Sequence, residues 1–201
     1  MKTYLLLFFC LFGMISYGQG HLVPEKNDYK GESNQYYEAV FSLLYKGFSK
    51  KPTARFTSMP SFTNEYAFSV EKKNDDFIIK SNALSGNYWI TPNKKEVKTI
   101  SNQAKISQSL YNQINLLFEL ITLQTKEPEK IIFGNDGTIY YFSTTVNNKI
   151  KTGKTWSPNK ETMLGRLVKL NDDLFQIGMG KAVDQKVVET GIKQLSSDLK
   201  K

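Results

Sequence analysis

The hydrophobic positions of this chain follow three regimes. Leu5 to Ile15 form an apolar run behind a lone Lys2, and Ser16-Tyr17-Gly18 sets small residues at −3 and −1 of a cut before Gln19. The run has the roughly 7–15 residue length of a secretory h-region and falls short of the ~20 needed to span a bilayer. It predicts a signal peptide over residues 1–18, with no transmembrane anchor. Cys10 follows Phe9 and sits too early for a lipid anchor. Residues 19–32 are polar with scattered Gly and Pro and read as a flexible tail.

Helical and strand periods then alternate. Ser33 is a candidate cap, and Tyr37, Val40, Phe41, Leu44 and Phe48 form one apolar stripe that Pro52 ends. Glu65 to Glu71 alternates, with Tyr66, Phe68 and Val70 on one face. A turn at Lys73–Asp76 returns the chain as a second strand, Phe77 to Ser81. Short strands are expected at Tyr88-Trp89-Ile90 and over Val97–Ile100. Ser107 opens a helix to about Thr125. Its apolar side includes Leu110, Ile114, Leu117, Phe118 and Ile121 and is wide enough to predict a central buried helix.

Beyond Pro128, Lys130–Phe133 and Thr138–Val146 flank Gly134-Asn135-Asp136-Gly137, a hairpin signal. Another strand is expected at Lys149–Thr152. Ser157-Pro158 predicts a helix start, with the helix running to about Ile177 before Gly178 and Gly180. A last amphipathic helix spans Val183 to Leu199. About four helices with strands in hairpins predict an α+β fold, an antiparallel meander packed with helices in one compact domain over residues 33–199. Ser85–Glu96 echoes Thr152–Glu161, which allows a duplicated β-β-β-α unit.

Composition narrows the chemistry. Hydrophobic residues at 40% and charged residues at 23% are globular values, which excludes a disordered or fibrous chain. The chain has one Cys and one His, Cys10 and His21. Cleavage leaves a cysteine-free mature chain without disulfides. No folded His remains for a Ser-His-Asp triad, and His- or Cys-based zinc sites are excluded. The net charge is +8, carried by Lys with only two Arg, Arg55 and Arg166. Specific nucleic-acid readers favour Arg for bidentate base contacts, so no nucleic-acid partner is expected.

Several motifs fail on their own terms. Gly153-Lys154-Thr155 resembles the end of a phosphate-binding loop, but Asn148 stands where the first Gly is required. Ser69/Lys72, Ser157/Lys160 and Ser197/Lys200 have dyad spacing without companion motifs. Asn74-Asp75-Asp76 and Asn135-Asp136-Gly137 lack the ligand alternation of a calcium loop. No catalytic residue, metal site or cofactor is assigned. Glu65, Glu71 and Glu119 are the carboxylates that could support glycoside chemistry.

The remaining candidate is a basic, aromatic segment. Lys149, Lys151, Lys154, Lys160, Arg166 and Lys169 stand against Glu161 alone between Asn147 and Leu170, with Trp156 among them. Such a face suits an anionic envelope polymer or an envelope protein. Trp89, Lys149, Lys151, Lys154, Trp156, Arg166 and Lys169 are the expected binding residues. The paired Tyr36-Tyr37 and Tyr140-Tyr141 each place one ring away from a core.

Arg55–Phe68 (RFTSMPSFTNEYAF), Asp136–Ser143, Thr155-Trp156-Ser157-Pro158 and Leu167-Val168 together resemble a group of exported Gram-negative bacterial proteins without assigned activity. The resemblance implies export and a single compact domain, and lends no catalytic residue. The expected function is a non-catalytic binding or interaction protein of the bacterial envelope, periplasmic or secreted. The alternative is a small carboxylate-dependent hydrolase of envelope glycan.

Overall fold

A computed structural model describes residues 20–128 and 136–201. The expected signal peptide with Cys10, and the expected strand Lys130–Phe133 with the turn at Gly134-Asn135, lie outside the described residues. Seven strands are present among the described residues: β1 (Val23–Pro24), β2 (Ala54–Pro60), β3 (Tyr66–Lys73), β4 (Asp76–Leu84), β5 (Thr99–Ile106), β6 (Thr138–Val146) and β7 (Lys149–Trp156). They form one antiparallel sheet in the order β1-β7-β6-β2-β3-β4-β5. Four helices cover it: α1 (Gly31–Leu44), α2 (Gln108–Leu123), α3 (Met163–Gly178) and α4 (Gln185–Asp198). The α+β expectation is met. No helix among the described residues is long and apolar enough to cross a membrane.

The two faces of the sheet carry separate cores because side chains alternate along each strand. Phe56, Phe68 and Phe142 pack with Phe118 of α2 and with α3 and α4 on one face. Met59, Ala67, Leu84 and Tyr141 pack under Val40 and Leu44 of α1 on the other. β2 is the middle strand, and all seven of its residues are buried. A strand covered on both faces shows no alternation in sequence, and none is visible in ARFTSMP. Side-chain caps start three helices: Ser107 accepts from Leu110 N, Thr162 from Gly165 N and Asp184 from Lys186 N.

Four expectations are corrected. Residues 21–29, read as part of a flexible tail, are built into the fold: Leu22 is 1% exposed and Val23 pairs with Lys154. Tyr88-Trp89-Ile90 is a turn, not a strand, because Asn87 Oδ1 accepts from Ile90 N while its Nδ2 donates to the Pro60 and Thr63 carbonyls. Ser157-Pro158 does not start α3. Ser157 has φ +36° and its Oγ accepts from Thr138 N, so β7 reaches Trp156 and the helix begins after Thr162. The internal echo has no structural counterpart, since Ser85–Glu96 is turn and 3-10 helix whereas Thr152–Trp156 is strand.

Candidate binding site

Helix α1 lies over the sheet with an aromatic flank. Tyr37 stacks on Tyr29 at 3.9 Å between ring centroids, and Phe41 meets Tyr141 edge-on at 5.5 Å. The first turns of α1, the Tyr88-Trp89 turn and Lys94 of the following 3-10 helix enclose an open groove of about 340 Å³. Glu32, Gln35, Tyr36, Tyr88, Trp89 and Lys94 line it.

A buried carboxylate sets this groove. Glu65 is 0% exposed. It accepts from Tyr36 Oη at 2.8 Å and, through both carboxylate oxygens, from Tyr88 N at 3.1 and 3.0 Å. Burial, then the Glu65 charge, raise the Tyr36 phenol well above its ordinary pKa, so it remains a hydrogen-bond donor. Trp89 stands edge-on to Tyr36, with centroids 5.2 Å apart and planes at 89°. Lys94 Nζ donates to the Tyr88 carbonyl and, at 2.7 Å, to the Trp89 carbonyl. Trp89 is thus held by its neighbours while remaining 52% exposed. Beside it, Ile90 is 57% exposed, and Phe62 is 67% exposed on the adjoining loop that Asn87 anchors.

The expected basic face does not converge. Lys149 and Lys151 are exposed on one face of β7, whereas Lys154 and Trp156 fall on the other by strand alternation. Lys154 pairs with Glu25 at 2.9 Å. Arg166 pairs with Asp198 at 3.1 Å and Lys169 with Asp173 at 2.9 Å, both on the helical face. Trp156 is half-buried, next to Gly137, at the end of the sheet that also carries the Asn87 loop. Trp89, one of the expected binding residues, lines a recess. Its partners Tyr36 and Lys94 were not among the expected binding residues. The Tyr36-Tyr37 pair was the available signal, and Tyr36 is the ring that points to the groove.

None of the carboxylates named for glycoside chemistry lines either recess. Glu71 pairs with Lys80 at 2.8 Å and accepts from Ser49 N at 2.7 Å. Glu119 is half-buried on α2. The Tyr36–Trp89 groove is lined by one carboxylate, Glu32, and a second recess on the other side of α1 is lined by Glu25. Acid-base hydrolysis needs a facing pair, which neither recess supplies. Among the described residues no group of three or more His, Cys, Asp or Glu could hold a metal ion. No protein-family model, curated protein or solved structure matches this chain.

Proposed function

We propose that this protein is an exported binding protein of the cell envelope, acting without catalysis, and that the Tyr36–Trp89 groove takes a sugar unit of an envelope glycan. The observation that carries this reading is Trp89, a large ring braced by Tyr36 and Lys94 yet half exposed beside polar side chains. An exposed indole costs free energy in water unless a ligand covers it. The apolar C–H face of a sugar ring covers an indole. Its hydroxyls find the Glu32 carboxylate, the Gln35 amide and the Lys94 ammonium on the rim. The export component rests on the N-terminal pattern of residues 1–18.

The test is titration of the mature protein with soluble peptidoglycan fragments, read by tryptophan fluorescence and calorimetry. Saturable binding is expected, and Trp89→Ala should weaken it at least about tenfold, or about 1.4 kcal/mol. Unchanged affinity in Trp89→Ala, or no binding to any envelope glycan, overturns the glycan reading. Capture of an envelope protein through the same Trp89 surface overturns it in favour of a protein partner.

A further inference from the structure

The second recess, beneath α1, is organised around an unpaired cation. Arg55 lies on β2 and points to the α1 side with Met59. It is only 8% exposed. Its guanidinium sits 4.2 Å over the Tyr45 ring and 5.8 Å from that of Phe48, and Nη2 donates to the Ser49 carbonyl. Among the described residues it makes no ion pair, and its Nε has no hydrogen-bond partner. Arginine keeps its proton even when buried, so the fold holds a desolvated positive charge with no described carboxylate at ion-pair distance, Glu71 acting on it only from further away.

Nearby carboxylates are already committed. Glu71 is taken by Lys80 and Ser49 N. Glu25, which also lines the recess, accepts from Asn27 N at 2.7 Å and Tyr29 Oη at 3.1 Å and pairs with Lys154. The Glu25–Lys154 and Glu71–Lys80 pairs are each neutral as a unit, which leaves the cluster with one net positive charge at Arg55. Burial without a counter-charge disfavours the ion strongly, and cation–π contact offsets only part of that cost. The recess beside Arg55 measures about 170 Å³. A cavity of about 150 Å³ holds a molecule the size of benzene. Ser143 and Thr152 present hydroxyls to it, and Phe41 and Ile150 present apolar surface.

We propose that this recess binds a small organic carboxylate, with Arg55 as the anion-binding group and Phe41 and Ile150 against the apolar body. One negative charge balances one guanidinium. A phosphate monoester, carrying nearly two charges at neutral pH, would leave one unmatched. The planar carboxylate also suits the guanidinium fork. This site is separate from the Tyr36–Trp89 groove and does not depend on glycan binding there.

The chain has two arginines, which makes a direct test available. Arginine Nε–H resonances of the whole mature protein are followed by NMR during titration with benzoate and butyrate. Benzamide, butyramide and inorganic phosphate serve as comparison probes. The Arg55 signal should move saturably with the carboxylates. The signal of Arg166, which is exposed and paired with Asp198, should stay still. The amides should bind at least about tenfold more weakly, because the charge-assisted bond is lost. Arg55→Lys, checked for folding by circular dichroism, should weaken benzoate about tenfold, and Trp89→Ala should leave it unchanged. Equal binding of the amides, preference for phosphate, parallel movement of Arg166, or no movement of Arg55 each overturns the proposal.

Discussion

Asp172 accepts a 2.5 Å hydrogen bond from the Tyr66 hydroxyl where α3 meets β3. Burial raises its carboxyl above the ordinary carboxylate range, and the Tyr66 bond and Lys169 oppose that only in part. A folded-state pKa above the unfolded value of about 3.9 means the native protein holds this proton more tightly. Stability from this group is therefore greatest when it is protonated and falls as pH rises through the window above about 4. Asp172→Asn keeps an acceptor for Tyr66 and removes the charge. The variant should match wild type in urea midpoint at about pH 3.5 and exceed it at about pH 7. A variant less stable than wild type at neutral pH would refute the assignment. At this scale the sequence named Trp89 as a binding residue of a basic face, and the fold places it on the lining of a groove away from that face. The sequence could not single out Arg55, since one arginine between apolar residues reads as a surface charge. Only Tyr45 and Phe48, folded over it from α1 and the loop that follows, make it a buried one.

Elements were legible where the two faces differ in residue type and obscure where they do not. α2, β3, β4, β6 and α4 emerge close to their expected spans, and β3 shows why: Tyr66, Phe68 and Val70 on one face alternate with the smaller Ala67 and Ser69 on the other, although both faces are buried. β2 was missed because it is buried throughout and ARFTSMP mixes large and small residues on both faces. β7 and the start of α3 were misplaced because the Ser157-Pro158 signal was satisfied by a hydrogen bond to Thr138, a contact with another strand. Two helix glycines separate local propensity from packing. A Cβ on Gly165 would lie 2.1 Å from the Asn159 carbonyl oxygen, which is backbone. A Cβ on Gly191 would meet the movable end of Leu170 at 2.6 Å. Gly165→Ala should cost about 2 kcal/mol or more, as overpacking does. Gly191→Ala should be neutral or stabilising by up to about 1 kcal/mol, the helix-propensity gain. Denaturant midpoints measure both, and equal costs at the two sites would contradict the packing described.

One sheet carrying a core on each face makes the molecule a single cooperative unit, because the strands that support α1 also support α2 and α3. Leu44→Ala on the α1 side and Leu117→Ala on the other side each remove a fully buried side chain. Each should lower one shared unfolding transition by about 2–5 kcal/mol. Circular dichroism and tryptophan fluorescence should trace the same curve. An early, separate transition in Leu44→Ala would show that α1 unfolds alone. The tail expectation failed at this scale too. Leu22 fills space against Gly153, where a Cβ would come within 2.9 Å of it, and that space exists only once β7 and α2 are in place.

The sequence by itself determined the α+β class and the span of its amphipathic helices and hairpins. These follow from period and composition, which are local properties. Tertiary structure alone decided that β2 is the middle strand and that the basic residues of 149–169 divide between the sheet and the helices. It also decided that Glu65 braces the groove at Trp89 and that Arg55 lies buried with no described carboxylate at ion-pair distance. Each of these depends on which distant segments share a face of the sheet, and long-range pairing leaves no periodic mark in the chain.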